Sequence, residues 1–376
     1  MALTAEDVRA RLRDWIEAHV EGWRNVRLRP LEVSPGSGFS ADIFFVDVDY
    51  DDGAGAQSRT LVVRRQPADL VVVHASSLAL QGRMMAALDR LKLAPVPDWI
   101  GMELDPAVLG NPFLIMGRVE GQSATQNPNY NTTGWVVEMT PAQRAATWKN
   151  AIEAFAKLGK IDWQADGFAF LAQAEWGQPG LDQYLGHIES WYRSCRKDRV
   201  MPHVDAAIAY IRDHQPGDTA INVLWGDATP SNVMFHADGT VSGLIDWELA
   251  ALGPSELDLA WWLYFDDLFT RRFGVAKLEG LPTREQTIAI WEATAGRAAQ
   301  HLDYYGVVVA LRMALVAVGA FDRQVGIGNI PPENKSLNAN FMTLTLAERL
   351  GMAPPELGPD FYAFMRNMTP VDQNKD

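Results

Sequence analysis

Residues 223–250, VLWGDATPSNVMFHADGTVSGLIDWELA, interrupt a long run of helical patterning with two short β-prone segments, Asn222 to Leu224 and Val241 to Ile245. A hairpin-like arrangement of the two would carry Asp227 and Asn232, on the loop after the first strand, to the same end as Asp246, which closes the second. An acid and an amide are hard oxygen ligands of the kind Mg²⁺ accepts. The remaining acid can then take the proton of an attacking hydroxyl. Positioning plus charge neutralisation is the minimum equipment of phosphoryl transfer. Taken singly, Asp227 and Asn232 also read as turn formers and Asp246 as the cap of a helix starting at WELA. The context favours one site: a GD before the loop, an apolar GLI before Asp246, and a further acid, Asp258, twelve residues on.

The flanking sequence divides in two. Before residue 119, LEVSPGSGFSADIFFVDVDYDD, RTLVVRR, SSLALQGRMMAALDRL and PFLIMGRVEG give strand, strand, helix, strand and connector, a small α+β unit. The first helix is expected to be N-capped by Thr4 with Asp7 closing a capping box. After residue 119, a helix capped at Thr140, helical patterning over Leu181 to His214 and further amphipathic segments to Leu350 surround the strand-bearing stretch. The run Gly306 to Phe321 is interrupted by Arg312 and reads as a buried helix, too short to span a bilayer.

Of 376 residues 48% are hydrophobic, enough to bury a large core, and 33 Lys+Arg against 47 Asp+Glu give a net charge of −14. That field disfavours nucleic acid and anionic membrane as partners. The single cysteine, Cys195, excludes an internal disulfide and a CxxC motif and suits a cytoplasmic location, as does an N-terminus without a targeting pattern. Cys195 reads as an inert helix residue, RSCRKDR as a solvated face, and His187, His203 and His301 lack metal-ligand spacing.

WGDATPSN followed by GLIDWELAALGPSELDLAW resembles the catalytic and metal-binding segments of the aminoglycoside phosphotransferase and choline kinase-like family, and the likeness runs from about Leu31 to Leu350. It implies a two-lobed protein-kinase-like α+β fold, with residues 1–118 as a small antiparallel-sheet, nucleotide-binding lobe and 119–376 as a mainly helical catalytic and acceptor-binding lobe. It further implies transfer of the γ-phosphoryl group of ATP or GTP to a small-molecule hydroxyl with Mg²⁺, an aminoglycoside-type antibiotic being one candidate acceptor. Asp227 takes the place of the catalytic acid, Asn232 and Asp246 those of the metal ligands, Glu248 that of the second acid of the metal motif, and Asp258 that of a buried brace. Gly36, Gly38 and Ser40 fall where a hairpin closes over phosphates through its N–H groups, although a plain Gly-rich turn fits them equally. Arg64, preferred over Arg65, stands where the family has its phosphate-binding cation. Met116 would flank the adenine, with the backbone of Gly117 and Val119 at its edge. The acceptor region maps to Trp261, Trp262, Tyr264, Asp266 and Asp267 and the surroundings of Tyr304 and Arg312.

Three positions depart from the family pattern. Trp225 replaces the His before GD, Gln81 replaces the helix Glu that pairs with the strand cation, and Gly159 stands where many relatives have His. A neutral amide bonds a guanidinium without neutralising it. These departures sustain an alternative of another class, a degenerate nucleotide-binding regulatory protein with little turnover.

Overall fold

In the computed structural model, which describes residues 3–33, 42–66 and 77–362, the chain opens with α1 (Ala5–His19). Thr4 and Asp7 form the expected capping box. A curled antiparallel sheet follows, built from β1 (Arg24–Leu28), β2 (Glu32–Val33), β3 (Asp42–Asp51) and β4 (Ala56–Arg65). Next come α2 (Leu78–Leu91), β5 (Trp99–Glu103), the single turn α3 (Pro106–Leu109) and β6 (Phe113–Gly117). Spatial order is β1-β3-β4-β6-β5 with β2 on β3. The alternation of β3 and β4 sends Val46, Val48, Leu61 and Val63 to one face, where α1 covers them with Leu12, Trp15 and Ile16. β1 and β5 lack a clean alternation and are the two strands that pattern reading passes over.

The remainder is mainly helical: α4 (Trp135–Glu138), α5 (Pro141–Ala156), α6 (Leu181–Arg196) and α7 (Pro202–Asp213) precede the strand-bearing stretch. Thr140 caps α5 with a full capping box, as expected. Four short strands come next, β7 (Asn222–Leu224), β8 (Val233–Phe235), β9 (Val241–Leu244) and β10 (Ala251–Gly253), then α8 (Glu256–Asp267), α9 (Arg284–Ala295), α10 (Leu302–Gly326) and α11 (Phe341–Leu350). α10 is the expected buried helix, but the expectation that it is too short to span a bilayer fails: its 25 residues outrun the Gly306 to Phe321 run and are long and apolar enough to cross one, with a mean hydropathy of 1.8, although 78% of that window is packed inside the protein. Trp148, Phe155, Trp262 and Leu311 lie in one continuous core that also takes in Met84, Met85 and Leu88 of α2, so α2 is anchored on the helical part.

One local expectation needs correcting. The strands β7 and β9 do not pair with each other: β7 pairs with β10 and β8 with β9, both antiparallel. Two small ladders therefore replace the single hairpin. Asp227 and Asn232 lie between β7 and β8, while Asp246 follows β9. Nor does Asp246 cap a helix; it adopts φ +59, a left-handed conformation that Asp tolerates better than most residues.

Candidate active site

The loop bearing Asp227 is held from below. Asp258, 3% exposed at the start of α8, accepts the N–H groups of Trp225 and Gly226, both at 2.8 Å. Burial pushes its carboxyl up to about 6 against the lowering effect of these two hydrogen bonds. Gly226 sits at φ +85, and a Cβ there would stand 2.0 Å from the Leu249 carbonyl oxygen, so the turn requires glycine. The Gly226 carbonyl accepts from Arg312, whose other terminal nitrogen donates to Tyr184 Oη at 2.7 Å. Arg312 also lies over the Trp261 ring, 3.5 Å from its centroid. It thus supports the Asp227 loop from α10. Tyr304, whose hydroxyl donates to the Ile211 carbonyl at 2.6 Å, is likewise a packing residue.

Asp227 is fixed from two sides. Trp261 Nε1 donates to Oδ1 and Asn232 Nδ2 to Oδ2, each at 2.7 Å. Burial first, then the negative charge of Asp246, raises its pKa to about 6, offset in part by Arg312 and the two hydrogen bonds. A carboxylate poised there is a serviceable base near neutral pH. Since the Asn232 amide nitrogen is committed to Asp227, its carbonyl oxygen is the atom left for a cation. That oxygen and the Asp246 carboxylate suit a hard divalent ion. Among the described residues no cluster of three His, Cys, Asp or Glu forms an alternative metal site.

Arg64 crosses from β4 to this loop. Only 7% exposed, it donates to Asp246 Oδ1 at 2.9 Å and to Glu248 Oε2 at 2.8 Å. The cation therefore finds its neutralising partners in the acidic motif itself, and Gln81 of α2 need not carry a charge. Glu248 is turned to Arg64, and its side chain is 12% exposed.

Above these groups opens a cavity of about 320 Å³. Val62, Leu114, Met116 and Ile245 form apolar walls, and Arg64, Asn232 and Asp246 gather at one end. Gln81, Gly117 and Val119 also line it. The Gly117 N–H, however, donates to the Asp98 carbonyl at 2.8 Å, which removes it as a contact for a ligand edge. Gly36, Gly38 and Ser40 lie outside the described residues.

The departures from the family pattern have physical counterparts. Trp225 is fully buried, packs at a tilt against the Trp247 ring and donates Nε1–H to the Ile245 carbonyl at 2.9 Å, so hydrogen bonding as well as packing ties the Asp227 loop to the strand before Asp246. At Gly159 the carbonyl accepts from Asn222 Nδ2 at 3.0 Å, and Ser255 fills the space a side chain would take. Asp266 and Asp267 are paired, the former with Lys277 at 2.8 Å and the latter with Arg271 at 2.6 Å. Burial raises Cys195 to about 11, in line with an inert thiol.

Residues 33–293 match the sequence model of the phosphotransferase enzyme family, well over half of the chain. The chain belongs to the phosphotransferase enzyme family. Its fold is that of the family's solved members. The crystal structure of an aminoglycoside phosphotransferase candidate from Ralstonia eutropha JMP134 superposes with a TM-score of 0.67 at 23% identity, covering 91% of this chain and 98% of that one. Macrolide 2'-phosphotransferase type I gives 0.53 at 21%, over 95% and 100%. The GDP and kanamycin complex of an APH(2") enzyme gives 0.55 at 14%, over 89% and 97%. Among curated proteins, probable acyl-CoA dehydrogenase IBR3 of Arabidopsis thaliana is 26% identical over 60% of this chain and 27% of its own length. Acyl-CoA dehydrogenase family member 11 of Rattus norvegicus is 23% identical over 93% and 44%. The chain thus spans less than half the length of these curated relatives.

Proposed function

We propose that this family member is a Mg²⁺-dependent kinase that moves the γ-phosphoryl group of ATP or GTP to a hydroxyl of a small molecule in the cytoplasm. The observation that carries this reading is the Asp227 carboxylate, its pKa at about 6, clamped by Trp261 and by Asn232, which with Asp246 and Arg64 lines the 320 Å³ cavity. In this reading the base of the nucleotide occupies the apolar walls around Met116, with Val119 at its edge, and Arg64 meets the phosphates. Gly36, Gly38 and Ser40 would contribute backbone N–H groups to the phosphates. Asn232 and Asp246, with Glu248 alongside, would hold Mg²⁺, which when bound neutralises phosphate charge. Asp227 orients the acceptor hydroxyl and takes its proton as that oxygen bonds to the γ-phosphorus and the nucleoside diphosphate leaves.

Engagement of Asp266 and Asp267 with Lys277 and Arg271 removes the carboxylates that would receive an amino sugar. The acyl-CoA names of the curated relatives favour an acceptor of the hydroxyacyl thioester class; an aminoglycoside ranks after it. The test is release of ADP or GDP with aminoglycosides, macrolides, choline-like alcohols and hydroxyacyl thioesters. One class should support Mg²⁺-dependent release that Asp227→Ala abolishes without loss of nucleotide affinity, while Asp246→Ala should weaken Mg²⁺-dependent nucleotide binding in calorimetry. Silence across the panel with tight nucleotide binding would instead establish the degenerate, regulatory alternative.

A further inference from the structure

A second cavity, about 210 Å³, lies beside the C-terminal end of α8, with Arg271, Arg272, Arg284 and Arg349 in its wall. Leu263 and Asp267 of that wall stand about half a helical turn around α8 from Trp261, the residue that holds Asp227. The cavity therefore faces away from the nucleotide cleft.

Its acids are already engaged. Asp267 receives Arg271 at 2.6 Å and Arg272 at 3.4 Å, Glu348 receives Arg271 at 3.3 Å and also Arg272, and Asp266 pairs with Lys277. Arg284 and Arg349 have no carboxylate within 4.0 Å and no hydrogen bond among the described residues. Five cationic groups thus meet three carboxylates, and two guanidiniums are left over on one concave surface. Asp303, the next acid toward Arg349, forms no ion pair with it. Desolvation where its guanidinium meets Gly306, and after it the charge of Arg284, lowers the pKa of Arg349, a residue otherwise exposed. The Arg349 guanidinium is also seated: it lies against Gly306 of α10, where a Cβ would stand 2.1 Å from Nη1. A cation placed against a like charge on a surface shaped to receive it is the arrangement of an anion site. Guanidinium forks match the oxygens of phosphate better than a point charge does.

We propose that this cavity binds a small phosphate-bearing anion, inorganic phosphate or a compact phosphomonoester, at Arg284 and Arg349. The rim carboxylates of Asp267 and Glu348, with the net charge of −14, oppose any long polyanion.

The test is calorimetric titration of the full chain with inorganic phosphate and with glycerol phosphate at constant ionic strength, on the wild type and on R284Q, R349Q and R64Q. Saturable binding that weakens at least tenfold in R284Q and in R349Q but persists in R64Q is expected. Tighter binding of glycerol phosphate would identify a phosphomonoester as the natural occupant, and equal or tighter binding of inorganic phosphate would identify the free ion. No saturable binding to the wild type at millimolar concentrations overturns the proposal. So does binding lost in R64Q and untouched in the other two, since it would place phosphate in the nucleotide cleft. Arg284 is exposed in the first turn of α9, so R284Q tests the site even if R349Q fails to fold.

Discussion

Trp261→Phe removes one hydrogen-bond donor from Asp227 and leaves an aromatic ring beneath Arg312. The lost bond is short, 2.7 Å, and ends on a carboxylate, a class that contributes roughly 1.5–3 kcal/mol. It favours the ionised form, so its loss must raise the Asp227 pKa, at about 1.4 kcal/mol per unit. From a starting value of about 6, the carboxyl should move up by about one to two units, the smaller figure applying if water takes the vacated place. The acid limb of kcat/KM would move with it. Turnover of nucleotide in the variant should fall roughly tenfold near pH 6.5 and recover to close to the wild-type rate by about pH 9. Ionisation of the nucleotide itself is common to both proteins and cancels in the comparison. An acid limb that stays in place, or a loss equal at every pH, would refute the idea that this indole tunes the base.

The other expectations concern the scaffold. In Arg64→Gln, Asp246 and Glu248 lose their counter-charge; breaking a buried pair costs about 3–5 kcal/mol, reduced here to about 2–3 because the Asp246 side chain is 31% exposed. Thermal unfolding should show that loss, and Mg²⁺ should raise the midpoint of the variant more than that of the wild type; equal responses would separate Arg64 from the metal acids. Gly226→Ala forces a Cβ against the Leu249 carbonyl at positive φ and should cost about 3 kcal/mol or more in urea unfolding. A loss below about 1 kcal/mol would mean that the turn relaxes easily.

Much of the site was legible because its parts are close in sequence. Asp227, Asn232 and Asp246 fall within twenty residues, and the GD before them and the apolar strand after them fix their direction. Thr4 and Thr140 announced their helices for the same reason: a capping box is a four-residue device. The partner of Arg64 was not legible. Asp246 is 182 residues away, and only the closure of the sheet over the helical part brings the two together. The partners of Arg312 were hidden for a related reason: an arginine in an apolar helix gives no sign of which buried carbonyl or ring it will meet until α10 packs beside α8. Pairing of the short strands failed because a three-residue strand carries too little pattern to choose between neighbours, and β7 found β10 across a loop that sequence alone leaves open.

Trp225 has a consequence for the behaviour of the enzyme in acid. A histidine at the junction of the two loops would change charge as the medium acidifies, so alignment and proton acceptance would decay together. An indole N–H bonded to the Ile245 carbonyl has nothing to titrate. This tie between the two loops is therefore indifferent to acidity, and the part of the frame that protonates below neutrality is Asp258, the carboxylate beneath the Trp225 and Gly226 N–H groups.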